Sequence, residues 1–324
     1  MKSLNMDFVG KKKLFALIAV AIICVGLICN IFLPTKVDIQ FTGGTIVKYS
    51  YSGEISEDAL SNAVKSVSEG KEEIEFNYNV IVAGETSAKN FVSITLTKDV
   101  TADDLTKMLS NIRAAFPTNN VEQSESSTVE ATMGKEFFLK CLAAIAIAAA
   151  LMMIYVAFRL RKIGGWSAGL MALVALVLDV SVAYFAFVIF RIELDDNFVA
   201  VILSILGYSL NSTIVIFDRV RTNRRVMGAA AGLENIVNTS IQQSFGRALN
   251  TTISTLIAVG SITVVAVIYG LEAIISFSVP MMAGIISGFY SSVFLSTPLW
   301  VAVRKFSMQK REAKAVKQLA KKKA

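Results

Sequence analysis

Asp179 lies inside an uninterrupted apolar stretch, 13 residues from its start at Trp166. At about 1.5 Å of rise per residue, a helix would carry it roughly 20 Å inward, past the middle of a bilayer. A charge there costs on the order of 3 kcal/mol, so the carboxylate must face protein or water, or hold a proton. That makes it a candidate carrier of a proton or cation; the plainer reading is an acid hydrogen-bonded to a neighbouring helix. Two more polar groups sit in apolar surroundings. In "LGYSLNSTIVIFDRVRTNRR", Ser209, Asn211, Ser212 and Thr213 precede Asp218 and four arginines in seven positions, Arg219, Arg221, Arg224 and Arg225. Further on, Arg247, Asn250, Thr251 and Ser254 are spaced by three or four and share one helical face. If the two groups face each other, they line a polar cavity that admits water or an ion. Ordinary interhelical hydrogen bonding, about 0.6 kcal/mol per pair, is the alternative. Asp218 and Arg219 sit at the membrane edge, where charge costs little; Asp218 can pair with Arg221 on its own helix. The sequence has no histidine, the usual proton carrier near neutral pH.

The elements that must hold these residues are membrane helices. With 54% hydrophobic residues and a mean hydropathy of +0.58, the 324-residue chain is too apolar for a soluble globular protein. Six apolar runs, 14–33, 137–158, 166–190, 197–217, 248–269 and 274–302, are each long enough for a hydrocarbon core of roughly 30 Å. Residues 34–133 hold 8 basic and 15 acidic side chains, while the whole chain is +7, which leaves +14 elsewhere. That positive charge gathers at alternate helix ends, in 11–13, 159–162, 219–225 and the tail from Arg304. Such a pattern points to membrane lipids and a cytoplasmic face rather than to nucleic acid, with both termini inside and the acidic segment outside. The first run ends "NIFLPTKVD" without a small-residue cleavage site and reads as an uncleaved anchor. Cys24, Cys29 and Cys141 all fall in spans, so they predict packing rather than disulfides, and no metal site is expected.

Four parts follow: 1–33, the cytoplasmic start and first span; 34–133, an extracytoplasmic α+β domain; 134–303, spans two to six; and 304–324, a basic cytoplasmic tail. In the second part, 37–51 reads as a strand and 56–70 as a helix. Residues 73–82 and 90–97 alternate as strands around the turn "GETSAK". Thr101 caps a second helix over 101–116, and a last strand follows near 119–130. The order β-α-β-β-α-β predicts a ferredoxin-like module. The inner connection 218–246 has apolar residues at helical spacing and reads as an interfacial helix. In the sixth span Ser276, Pro280, Gly284, Gly288, Ser292 and Ser296 recur every fourth residue, a small stripe suited to close helix approach. Gly165 and Gly169 share the spacing but lie at a helix end, where the signal is weaker.

Three stretches together resemble the SecF proteins of the SecD/SecF protein-export family, within the RND superfamily. They are "FTGG" (Phe41, Thr42, Gly43, Gly44), "LGYSLNSTIVIFDRVRTN" and "FGRALNTTISTL". The resemblance implies an auxiliary, non-enzymatic subunit without cofactor in the bacterial cytoplasmic membrane. Its partners would be a SecD-like subunit, the SecYEG translocon and exported precursor proteins, with export assisted by the proton or sodium gradient. Arg247 matches the family arginine at the head of the fifth span. The family acid after the fourth-span asparagine is replaced by Ser212, its third-span His-Asp by Leu178–Asp179, and the acid before F-T-G-G by Gln40. Ser212 leaves coupling open between this chain, through Asp179, and the partner. The alternatives are an RND-like exporter of small molecules or lipids, and a scaffold subunit that does not couple.

Overall fold

The computed structural model describes residues 6–68, 70, 72–80, 89–96, 100–129 and 131–309. Residues 84–88 of the expected "GETSAK" turn and 310–324 of the basic tail lie outside the described residues. Helix α1 (Lys12–Phe32) leads into one helical turn, α2 (Ile39–Thr42). Then come β1 (Gly44–Tyr51), α3 (Glu57–Ser68), β2 (Glu72–Val80), β3 (Lys89–Leu96), α4 (Ala102–Ala115) and β4 (Glu122–Val129). Helices α5 (Ala131–Arg159), α6 (Gly165–Ile189), α7 (Asp196–Val226) and α8 (Leu233–Tyr269) follow, and α9 (Glu272–Tyr290) closes the set. The span of α9 continues through a π-helical segment, Ser291–Ser296, to Gln309. Among the described residues six helices are long and apolar enough to cross a membrane, and the chain is a multi-pass membrane protein.

The sheet has the order β2-β3-β1-β4, with every neighbouring pair antiparallel. Alternate residues of β1 and β3 point to one face, where Val47 opposes Ile94 and Tyr49 opposes Val92. There they meet Leu60 and Val64 of α3 and Met108 and Ile112 of α4, all fully buried. Thr101 caps α4 as its sequence predicts, accepting the Asp104 amide at 3.3 Å. The stretch around 39–42 departs from the strand expected there. Asp38 accepts the Gln40 amide at 2.7 Å and caps one helical turn, which Gly43 ends at φ +80. The strand therefore starts only at Gly44.

The expected interfacial helix within 218–246 is absent as a separate element. Helix α7 runs on to Val226 and α8 starts at Leu233 and enters the membrane unbroken. The apolar residues of this segment find protein rather than lipid: Ile236, Val237 and Ile241 are buried in one cluster with Phe217 and Trp300. Phe8 wedges into the same region, its ring 6.5 Å from Phe245 and 5.7 Å from Phe294. The Val9 amide donates to Asn238 Oδ1 at 3.0 Å. Lys305 pairs with Glu234 at 2.6 Å and Arg159 with Asp218 at 2.9 Å. These contacts bring the starts of α1, α6 and α8 and the ends of α5, α7 and the α9 span to one basic face.

Small residues set the helix spacing. A Cβ on Gly284 would stand 2.0 Å from the Ile205 side-chain tip of α7, and one on Gly288 would be 3.3 Å from Ser209. The sixth-span stripe thus lies against the fourth span. The tightest approach is at Gly165, where a Cβ would sit 1.9 Å from the Ala157 carbonyl oxygen.

Candidate functional site

Asp179 is fully buried where α6, α7 and α9 meet. Its carboxylate accepts three hydroxyl hydrogen bonds. Ser287 Oγ donates to Oδ1 at 2.6 Å and Ser291 Oγ to Oδ2 at 2.8 Å, one helical turn apart on the α9 span; Ser209 Oγ of α7 donates to Oδ2. A carboxylate only accepts when ionised, and a hydroxyl can donate or accept, so this cage answers either state of the acid. No lysine or arginine is needed to satisfy it, and Arg247, exposed at the head of the fifth span, is not among its partners.

The polar chain continues. Thr213 and Ser292 share a hydroxyl contact at 2.9 Å, Ser292 Oγ donates to the Ser209 carbonyl at 3.3 Å, and Thr297 Oγ1 donates to the Ser292 carbonyl at 3.4 Å. Ser209, Thr213, Ser291, Ser292, Ser296 and Thr297 are all buried. Ser296 Oγ has no hydrogen-bond partner among the described residues. Much of this network sits in or beside the π-helical segment, a break in regular winding that often marks function. Beyond it, the fully buried Trp300 donates to Ser167 Oγ at 3.1 Å and meets Phe217 edge-on.

The two polar groups read in the sequence do not enclose a cavity. Asn211, Arg247, Asn250, Thr251 and Ser254 are exposed on the outside of the helices. Thr251 satisfies its hydroxyl on the Arg247 carbonyl at 2.9 Å, and Ser212, half-buried, turns back to the Tyr208 carbonyl at 3.3 Å. The reason is rotational: α7 gives Ser209 and Thr213 to the core, which turns Asn211 away. Tyr208 OH donates to Thr252 Oγ1 at 2.8 Å and ties α7 to α8 beside this face. At the membrane edge Asp218 pairs with Arg221 at 3.0 Å, as its spacing predicts, and also with Arg159 of α5. Arg219 Nε donates to Gln243 at 2.6 Å.

Residues 108–306 match the family described as "Protein export membrane protein SecD/SecF, C-terminal". The chain belongs to the SecD/SecF family. It is 30% identical over 278 residues to the protein translocase subunit SecF of Sebaldella termitidis, covering 85% of this chain and 84% of that one. It is 29% identical over 309 residues to the protein translocase subunit SecDF of Bacillus subtilis, covering 95% of this chain but 39% of that longer protein. The crystal structure of SecDF from Thermus thermophilus, a translocon-associated membrane protein, aligns with a TM-score of 0.73 over 93% of this chain and 39% of that one, at 21% identity. In this SecD/SecF chain the F-T-G-G motif joins the sheet to the second span. Phe41 stacks on Phe137 at 5.6 Å and meets Phe138 edge-on at 5.4 Å. Thr42 Oγ1 donates to the Asp38 carbonyl at 3.2 Å. Gly44, at φ +138, passes so near the Leu96 carbonyl that a Cβ would be 2.4 Å from it. Burial raises the Asp38 carboxyl, which caps this turn, above the usual range, and Asp195 and Asp196 add to the rise.

The sequence reading missed Ser287 and Ser291. Their spacing of four in an apolar helix was the available signal, but they lie beside the small-residue stripe rather than on it.

Proposed function

We propose that this chain is an auxiliary, non-enzymatic subunit of the Sec translocase in the bacterial cytoplasmic membrane. In this reading it works with a SecD-like subunit beside the SecYEG translocon on exported precursor proteins. The observation that carries it is the open polar face of Asn211, Arg247, Asn250 and Thr251 on spanning helices. Lipid tails offer no hydrogen-bond partner to the two exposed amides, and Arg247 stands beside them at the head of the fifth span, so in this reading a second membrane protein covers the face. The longer SecDF relatives, of which this chain spans 39%, have room for that partner half in one polypeptide. Co-isolation tests the face. Arg247→Leu with Asn250→Leu is expected to cut recovery of the SecD-like partner at least tenfold while the chain itself stays in the membrane. Undiminished recovery would place the partner elsewhere.

The basic face is cytoplasmic in this proposal, the chain's ends lie there, and 34–133 is a ferredoxin-like extracytoplasmic domain. With Cys24, Cys29 and Cys141 replaced by alanine, an impermeant thiol reagent on intact cells is expected to label a cysteine at Ser110 and not one at Thr222. The reverse pattern would invert the topology.

Asp179 is the carboxylate through which the subunit answers the ion gradient. Protonation turns an acceptor of three hydrogen bonds into a donor of one, so at least one of Ser209, Ser287 and Ser291 must rotate. Because these serines belong to α7 and the α9 span, the proton changes how those helices pack on α6. The buried hydroxyls of Thr213, Ser292 and Thr297 make the path from the acid toward the basic face polar, although the Ser209 and Ser292 carbonyls that join them accept without passing a proton on.

A further inference from the structure

A cavity of about 210 Å³ opens at the basic end of α5 and α7, lined by Phe158, Arg159, Arg161 and Arg221. Drug-sized ligands occupy roughly 300–1,000 Å³, so this space suits a small polar group. The charges are unbalanced. Asp218 serves both Arg159, at 2.9 Å, and Arg221, at 3.0 Å, while Arg161 has no carboxylate partner among the described residues. Its guanidinium is instead held 5.1 Å from the centre of the Phe158 ring. Three guanidiniums against one carboxylate leave two positive charges, more than the partial negative end of α5, about half a charge, can offset. A carboxylate that orients two arginines leaves most of their N–H donors free for an anion.

An apolar track leads to the cavity. Leu151, Ile154, Tyr155 and Phe158 recur at the spacing of one helix face of α5, and are 62%, 54%, 52% and 70% exposed. Trp166, 73% exposed at the start of α6, lies at the same level. We infer that this cavity binds the phosphate headgroup of an anionic phospholipid whose acyl chains lie along the α5 track. The shared chemistry is a phosphate ester held by arginines, and basic pockets between spanning helices take such headgroups. The apolar track commits the phosphate to a lipid rather than to a soluble ion. The site shares α7 with the partner surface proposed above but is built by α5 and the end of α7, and its test does not use that partner.

Native mass spectrometry of the delipidated full chain in detergent tests the inference. Phosphatidylglycerol, phosphatidylcholine with the same acyl chains, or glycerol phosphate is added. One phosphatidylglycerol is expected to be retained, phosphatidylcholine to be lost, and glycerol phosphate not to compete at equal concentration. Each arginine near a membrane surface is worth about 1 kcal/mol, so Arg161→Gln is expected to weaken retention about fivefold and Arg161→Gln with Arg221→Gln about twenty-fivefold. Arg161 has no ion pair among the described residues, so the single variant should melt like the parent and decides the question if the double variant does not fold. Exposed Arg224→Gln should leave retention unchanged. Equal binding of the two lipids, displacement by glycerol phosphate, or an equal loss in Arg224→Gln would overturn the site.

Discussion

Asp179→Asn is expected to abolish gradient-dependent stimulation of export while leaving the complex assembled. The substitution keeps the shape of the side chain and removes the group that can change charge. Its oxygen still accepts from hydroxyls, and its amide can donate to a rotated serine, so all three of Ser209, Ser287 and Ser291 keep a partner. The stability cost should be on the order of 1 kcal/mol. Export into inverted membrane vesicles, with and without an ion gradient, gives the readout: the gradient-dependent part should fall to the level seen without the subunit. Full stimulation in this variant would move coupling to the SecD-like partner and leave this chain a passive half of the interface. Ser291→Ala is a useful companion. It keeps the acid but removes one donor from it, leaving a charge less well solvated at a cost of about 1–3 kcal/mol. It should weaken coupling without eliminating it.

Gly165→Ala is expected to be the more damaging of two single-methyl insertions. At Gly165 the new Cβ would stand 1.9 Å from the Ala157 carbonyl oxygen, a backbone atom that moves only if α5 and α6 separate. At Gly284 the obstacle, at 2.0 Å, is the tip of the Ile205 side chain, which can rotate away. Overpacking costs about 1–3 kcal/mol where side chains can adjust and more where they cannot. Thermal melting of the purified chain should therefore show a small drop for Gly284→Ala, and a large drop or loss of folded material for Gly165→Ala. A larger loss at Gly284 would show that the Ile205 contact is the rigid one.

These two sites illustrate what the sequence could reveal. Gly284 and Gly288 stood out because their stripe repeats along a whole span, and they do meet α7. Gly165 looked weaker because it lies at a helix end, yet the chain turns back after Arg159 so tightly that two backbones touch there. Asp179 was legible because an acid in an apolar run has few explanations. Its serine cage was not, because periodicity groups the residues of one helix face without saying which neighbour that face meets. The same gap explains Arg247 and Asn250: their shared face was visible in the spacing, its outward direction was not. The Asp218–Arg159 pair joins residues on different helices, 59 positions apart, beyond the reach of any local pattern. In the α+β segment, alternation located the strands, while the turn at Ile39–Thr42 escaped because its apolar residues look like the start of β1.

Phe8 has a consequence for how the protein is made. Its pocket is built by Phe245 and Phe294, and its neighbour Val9 bonds to Asn238, 229 positions later. At a synthesis rate of about 5–20 residues per second, Phe294 leaves the ribosome roughly a quarter of a minute to a minute after Phe8. During that time the first segment of the chain has no place to dock. The wedge is therefore a late closure: it can seat only after the last spanning helix has arrived, so its burial marks the completed bundle.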